Sequence, residues 1–429
     1  MKLLAVGDLH LGRRPSRLPE SLADRSAELG PAGAWERIVE AAVRERIDLL
    51  ALAGDVVEHE GDFFEAYRVL RRGLERLAAE RITLVAVAGN HDVRVLPRLA
   101  RELPQLNLLG SQGEWEARTF QAAGEAVTLW GRSFVSRLAR ENPLPGFRPA
   151  LGPGLNLGLL HCDRDQTASD YVPVRTQDLE QAGLDGWLLG HVHRPDSLAA
   201  PRPLGYLGSV TALDPGEPGD RGPWLLEIAG GRCVRIEQWV LAPLRWELLE
   251  LDLTGLERPD EAEHLLLERL RRLEDRLQAT HARPEAVGLR VNLCGRTRWG
   301  RKVKNLLEGG DLREGLMLSG GSLFFLDRVT VLTHPELALD ELARRTDPPG
   351  LLARRLLLLE GRGDEEQRRA LLDRFRRRLR KRVGERKWSA FSDIPASDEE
   401  LAESLREAGS LLLDRLLAQK ESEDAPGET

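Results

Sequence analysis

The chain has 429 residues, of which 41% are hydrophobic and 31% charged, and its formal net charge is -7. That length suits about three domains with ample material for a core, and the composition excludes a disordered, collagen-like or disulfide-stapled protein. There is no global basic field, so affinity for a polyanion would have to come from local clusters.

Cys162, Cys233 and Cys294 lack Cys-x-x-Cys spacing, which argues against a disulfide framework or a zinc knuckle and fits a reducing, cytoplasmic setting. The apolar run Leu3 to Val6 is too short for a leader or a membrane span. No apolar stretch of about eighteen residues occurs elsewhere, so no membrane contact is expected.

The first strand is "KLLAV", followed by a polar, Pro/Gly-rich loop over residues 12–33. A helix then carries Trp35, Ile38, Val39, Ala42 and Val43 on one face. "DLLALAG" reads as the second strand, a helix with Phe63, Tyr67, Leu70, Leu74 and Leu77 follows, and "ITLVAVAG" is the third strand. This alternation predicts crossovers and a largely parallel inner sheet. Further strand candidates are "AVTLWG", "LNLGLLH", "GWLLGH", "YLGS", "PWLLEI" and "VRIEQWVL". With only short helices between them, they predict a second, more antiparallel sheet.

Composition changes near Pro243. "WELLELDL", a helix from Asp260 to about Ala279, "VGLRVNLCG" and "FFLDRVTVLT" predict a small α+β domain. The expected division is therefore 1–242, 243–345, a charged helical extension over 346–420, and a disordered tail over 421–429. Residues 344–387 hold sixteen Arg/Lys against seven Asp/Glu, whereas residues 393–429 hold eleven acids against three bases.

Five strand candidates end in metal-type ligands. "AVGDLH" supplies Asp8 and His10, "LAGDVVE" supplies Asp55, and "VAGNHD" supplies Asn90, His91 and Asp92. "LLH" ends in His161, and "LLGHVH" ends in His191 and His193. Side chains at the carboxyl ends of strands in an open α/β sheet converge, so these residues are expected to meet. Two Asp, one Asn and four His exceed one ion's needs. Nitrogen and oxygen donors without thiolate favour Mn²⁺, Fe²⁺, Zn²⁺ or Co²⁺. A pair of ions about 3.5–4 Å apart, bridged by a carboxylate, is the arrangement of two-metal phosphoryl chemistry. Cys162 is expected to be a buried inert thiol, His59 an exposed loop residue, and His264, His281 and His334 surface residues.

GDLH, GDVVE, GNHD, a lone His and GHVH, in that order, resemble the signature of the calcineurin-like metallophosphoesterases over roughly residues 1–240. The resemblance implies an α/β fold: a two-sheet αββα sandwich, followed here by a small α+β capping-type domain and a helical C-terminal tail. It implies one ion held by Asp8, His10, Asp55 and His193, and a second held by Asp55, Asn90, His161 and His191. His91 would be the general acid and Asp92 would orient it. The second block often ends in Asp; here Glu58 stands there. Purple acid phosphatases of the same superfamily put a Tyr at that block, and its absence argues against their iron site.

Within the superfamily the chain is most similar to SbcD-type DNA repair nucleases, through DLHLG, the GDVVE-to-GNHD spacing, "YLGSV" and the long extension. That likeness implies a Mn²⁺-dependent DNA exonuclease, with endonuclease activity in the same site. Its partners would be DNA and an SbcC-like coiled-coil ATPase, and a homodimer is compatible. The alternative is a phosphodiesterase or pyrophosphatase of small nucleotides or lipid-linked substrates. Arg296, Arg298, Arg301, Lys302 and Lys304, with Arg290, surround Trp299 in "LRVNLCGRTRWGRKVK" and are the candidate DNA-phosphate contacts. The helix Glu365 to Val383, apolar at Leu372, Phe375, Leu379 and Val383, suits phosphate or a partner helix. The last helix is expected to open on a capping box from Ser397 to Glu400 and to present Leu401, Leu405, Ala408, Leu412 and Leu416 as a docking face.

Overall fold

A computed structural model describes residues 1–166, 168–318, 321–383 and 397–424. The first elements alternate as the apolar pattern predicts: β1 (Lys2–Val6), α1 (Pro31–Arg44), β2 (Leu49–Ala53), α2 (Phe63–Ala79), β3 (Thr83–Val87), α3 (Val95–Glu102) and β4 (Leu106–Leu108). β1 to β4 pair in parallel, and the strand Trp224–Ala229 adds antiparallel to β1 with Arg232–Gln238 beyond it.

Period-two alternation sends successive residues of β1 to opposite faces. Leu4 and Val6 pack with Trp35, Ile38, Leu70 and Leu74 of α1 and α2. Leu3 and Ala5 instead face the second sheet, beside Val127, Leu129, Leu157 and Leu188. Burial on both faces is why the strands read as uninterrupted apolar runs.

The second sheet contains β5 (Glu116–Ala122), β6 (Glu125–Arg132), β7 (Leu155–His161), and the strands Gly186–Gly190 and Leu204–Tyr206. It corrects the sequence reading in two ways. Only β5–β6 pair antiparallel, while β6–β7, β7 with Gly186–Gly190, and that strand with Leu204–Tyr206 are all parallel. The segments 133–154 and 162–185 are long enough to return the chain to the starting edge, which is the condition for parallel pairing. "PWLLEI" and "VRIEQWVL" join the first sheet, not the second. β5 gave no apolar signal because it is a largely exposed edge strand. The outer face of this sheet packs Leu160, Trp187 and Leu189 on Phe134, Phe147 and Leu179. The two sheets and their flanking helices make a mixed α/β layered fold.

A third sheet joins Leu244–Asp252, Ala286–Cys294, Leu323–Val331 and Leu316–Met317, with the helix Glu261–Gln278. The chain divides into one compact unit of residues 1–251, 257–293 and 301–331, and another of 252–256, 294–300 and 332–429. In the first, Trp246, Ala286 and Phe325 pack on Leu22, Leu29 and Ala212, and Arg25 and Arg37 both pair with Glu285.

The second unit is mainly helical, with Pro348–Leu359, Glu365–Val383 and Asp398–Asp424. The Ser397–Glu400 capping box forms, with Glu400 N–H donating to Ser397 Oγ at 3.1 Å and Ser397 N–H to Glu400 Oε2 at 3.3 Å. The buried stripe of the last helix runs through Leu401, Leu405, Leu413 and Leu417 rather than through Leu412, which is 49% exposed. The helix reaches Asp424, so the expected tail overlaps it by residues 421–424, and residues 425–429 lie outside the described ones. The end of the basic run, residues 384–387, lies outside them too. No helix among the described residues is long and apolar enough to cross a membrane.

Candidate metal centre

Parallel register brings the ends of β1, β2, β3, β7 and Gly186–Gly190 to one edge. Each chain leaves its strand through a motif predicted from the sequence. The exits are sharp. Asp8, His10, Asp55 and His191 all have positive φ, at 23°, 52°, 47° and 104°. Residues with a Cβ rarely adopt that backbone, and each costs about 1–3 kcal/mol that the surroundings must offset. The glycines have a separate reason. At Gly54, with φ +91°, a Cβ would lie 2.6 Å from His161 Nδ1, and at Gly89 it would lie 2.1 Å from Asp55 Oδ1.

All seven presumed ligands meet. His10 Nε2 lies 3.0 Å from His193 Nε2, and His161 Nε2 lies 3.0 Å from Asn90 Oδ1 and 3.2 Å from His191 Nδ1. Asp55 stands between the two groups, with Oδ2 4.0 Å from His10 Nε2 and 3.2 Å from His161 Nε2. Asp8, His10 and His193 form one cluster of donor atoms within 4.8 Å, and Asp55, His161 and His191 form another.

Outside this ring of donors, each imidazole has a carboxylate or carbonyl oxygen close to its other nitrogen. Glu58 Oε2 sits 2.6 Å from His10 Nδ1, and Glu217 Oε1 sits 2.6 Å from His193 Nδ1. Asp163 Oδ1 lies 3.2 Å from His191 Nε2, and the Ala53 carbonyl lies 3.0 Å from His161 Nδ1. Fixing one nitrogen sets the tautomer and aims the other inward, as in metal-ligating histidines generally. Asp8 Oδ1 accepts from His191 N–H at 2.8 Å, whereas its buried Oδ2 has no hydrogen-bond partner. A buried acceptor without a donor, beside imidazole nitrogens that face one another, fits a pair of divalent cations.

The carboxylates and imidazoles of the site also shift one another. Burial opposes ionisation of Asp55, yet His161, His10 and His91 hold its carboxyl well below the usual range. Burial also resists charge on His161, but Asp55 and Asp8 raise it to about 9. Glu58, despite burial, is brought down to about 2 by its contact with His10.

His91 is placed beside the donor ring, its ring centroid 5.1 Å from that of His10, and its N–H donates to Asp55 Oδ1 at 3.0 Å. The contact expected from Asp92 to that ring is not made. Asp92 is fully buried and accepts at 2.7 Å from both Val56 N–H and Gly89 N–H, tying the second motif to the third. Burial and the nearby Asp55 raise its pKa to about 7 against the pull of those amides. The ring of His91 is held instead by Glu58, whose carbonyl lies 3.2 Å from Nδ1.

Glu58, Asp163 and Glu217 were not assigned these bracing positions from sequence. Asp163 stands two residues after His161, which is a usable signal; Glu217, in "DPGEPG", offers none. Cys162 is buried, and burial pushes its thiol far up, leaving it inert as expected. His59, His264 and His281 are exposed, and His334 is half-buried near Asp414.

The candidate phosphate contacts fall in both units. Arg296 is held within the second unit by a two-pronged pair with Asp414, at 2.7 and 3.0 Å, because that carboxylate lies within reach of both its amino groups. In the same unit Arg298 stacks over Trp299 at 4.6 Å. Arg301, Lys302 and Lys304 belong to the first unit, on the helix Gly300–Gly309, where Lys304 lies 3.7 Å from Glu308. Arg290 pairs with Asp327 at 2.8 Å.

A family model described as calcineurin-like phosphoesterase matches residues 1–195. Among curated proteins, the chain is similar to the uncharacterized metallophosphoesterase YhaO of Bacillus subtilis, 28% identical over 261 residues, or 59% of this chain and 64% of that one. It is also similar to the DNA double-strand break repair protein Mre11 of Methanopyrus kandleri, 26% identical over 263 residues, or 55% of this chain and 56% of that one. Less than two thirds of either relative's length is thus spanned. The crystal structure of the calcineurin-like phosphoesterase YfkN from Bacillus subtilis aligns with 63% of this chain and 97% of its own, at 12% identity and a TM-score of 0.36.

Proposed function

From a chain whose residues 1–195 are a calcineurin-like phosphoesterase domain, we infer a divalent-metal-dependent DNA exonuclease, with endonuclease cleavage in the same site. The observation that carries the reading is the ring of four imidazoles, each braced from outside, around Asp8, Asp55 and Asn90. The choice of DNA is supported by the likeness to a repair protein over the stretch that holds the site. Mn²⁺ is the proposed ion by likeness to SbcD-type nucleases, and Fe²⁺, Zn²⁺ or Co²⁺ suit the same nitrogens and oxygens. A coiled-coil ATPase of the SbcC kind is the proposed partner and the cytoplasm the proposed location.

Asp8, His10, Asp55 and His193 would hold one ion, and Asp55, Asn90, His161 and His191 the other. When bound, such a pair lowers the pKa of water and neutralises charge on the phosphoryl group. The chain's own groups do the rest. Glu58, Glu217, Asp163 and the Ala53 carbonyl keep four imidazoles in a ligating tautomer. His91, with Nδ1 held by the Glu58 carbonyl, is left with Nε2 to carry a proton to the departing sugar oxygen.

The test is degradation of end-labelled linear duplex and single-stranded DNA by the full chain in Mn²⁺, Mg²⁺ or chelator. Metal-dependent release of nucleotides is expected. Turnover of a cyclic nucleotide with DNA left intact would overturn the reading in favour of small substrates.

A further inference from the structure

Beside His91 lies a cleft of about 520 Å³ that the chemistry above does not use, lined by His59, Glu60, Arg94, Val135 and Arg137 among others. Both its walls start from residues of the site. The His59 ring stacks on His91, with centroids 6.2 Å apart and planes 26° from parallel, yet is 61% exposed. The opposite wall follows Phe134, which is buried edge-on against His161 at 5.7 Å.

The cleft carries more positive charge than it satisfies. Arg94 is 79% exposed and has only a long contact, 3.6 Å, to Glu60. Arg137 is exposed and has no carboxylate partner among the described residues. Val135, 61% exposed, adds an apolar surface to the lining. A flat ring with an open face, two guanidinium groups and an apolar ledge are the parts of a single-strand binding groove, in which bases stack and phosphates are tracked by charge.

We propose that this cleft receives the strand that carries the leaving oxygen, its first base against His59 and its next phosphates on Arg94 and Arg137. The proposal rests on the nuclease reading and adds a direction to it. The group that His91 protonates must depart past His91, and beyond it in the fold lies this cleft. A nucleic-acid strand has a base and further phosphates to place there; a simple ester does not.

The experiment uses the full chain in Mn²⁺, comparing parent, Arg94→Ala/Arg137→Ala, Arg94→Lys/Arg137→Lys and His59→Ala on a single-stranded oligonucleotide and on bis(4-nitrophenyl) phosphate. For the double alanine variant, the ratio of kcat/KM on DNA to that on the ester is expected to fall about tenfold or more. The slope of log kcat/KM for DNA against log salt should become shallower by about 1.4, at about 0.7 per lost phosphate contact. The double lysine variant should restore the slope, because charge alone makes these contacts. His59→Ala should lower the ratio with the slope kept. A ratio and slope equal to the parent's in the double alanine variant would overturn the cleft assignment while leaving the nuclease reading intact. A parent that hydrolyses the ester but no DNA would overturn the nuclease reading itself.

Discussion

An imidazole ligates dependably through one nitrogen only when the other has a fixed partner, and for His10 that partner is the Glu58 carboxylate. Glu58 also offers its carbonyl to His91, so one residue serves both a presumed ligand and the presumed acid. Glu58→Gln keeps the size but loses the charge, and Mn²⁺ affinity measured by titration calorimetry should fall about 10–100-fold. His91→Ala touches no presumed ligand. Calorimetry should still show two bound ions per chain, while phosphodiester turnover falls about 10²–10⁴-fold. Loss of metal in that variant would return His91 to a structural role. The residue types of this site were legible in the five motifs; the braces were not. GDVVE shows a carboxylate but not which nitrogen it faces.

At the scale of elements, the last helix shows how spacing gives a period without giving the stripe that packs inside its own unit. Leucines occupy so many positions between Leu401 and Leu417 that two adjacent stripes both satisfy helical spacing. The neighbouring helix Pro348–Leu359 decides between them. Leu356 packs with Leu413, and a Cβ on Gly409 would come 2.8 Å from Leu356 Cδ2. Leu413→Ala should therefore destabilise the helical unit by about 2–5 kcal/mol. Leu412→Ala, on the exposed stripe, should stay within about 0.5 kcal/mol of the parent. Thermal melts followed by circular dichroism separate the two. The second sheet carries the same lesson. Strand existence was legible from short apolar runs, but strand direction depends on whether the connections can cross back, and that is settled in space.

For the whole molecule, the site couples metal binding to stability. Its donors come from five strand ends across both sheets, and several stand on strained backbone that the unfolded chain would not retain. Ions that bind the folded state alone should stabilise it by about 2.7 kcal/mol for each site at a hundredfold excess over Kd. Chelation should lower Tm measurably, and Mn²⁺ should restore it. A Tm indifferent to chelator would mean that the seven donors hold no metal.

The residue types and order of the presumed ligands, the strand that delivers each, and the parallel pairing of β1 to β4 were legible in the sequence alone, because each is a local property: residue type, period and the turn that follows. Tertiary structure alone decided that Asp92 serves two backbone amides rather than His91, that Arg296 is committed to Asp414, and that Glu58, Asp163 and Glu217 brace the histidines. Those are choices among partners distant in the chain. A carboxylate takes the nearest unsatisfied donor in space, and only packing determines which donor that is.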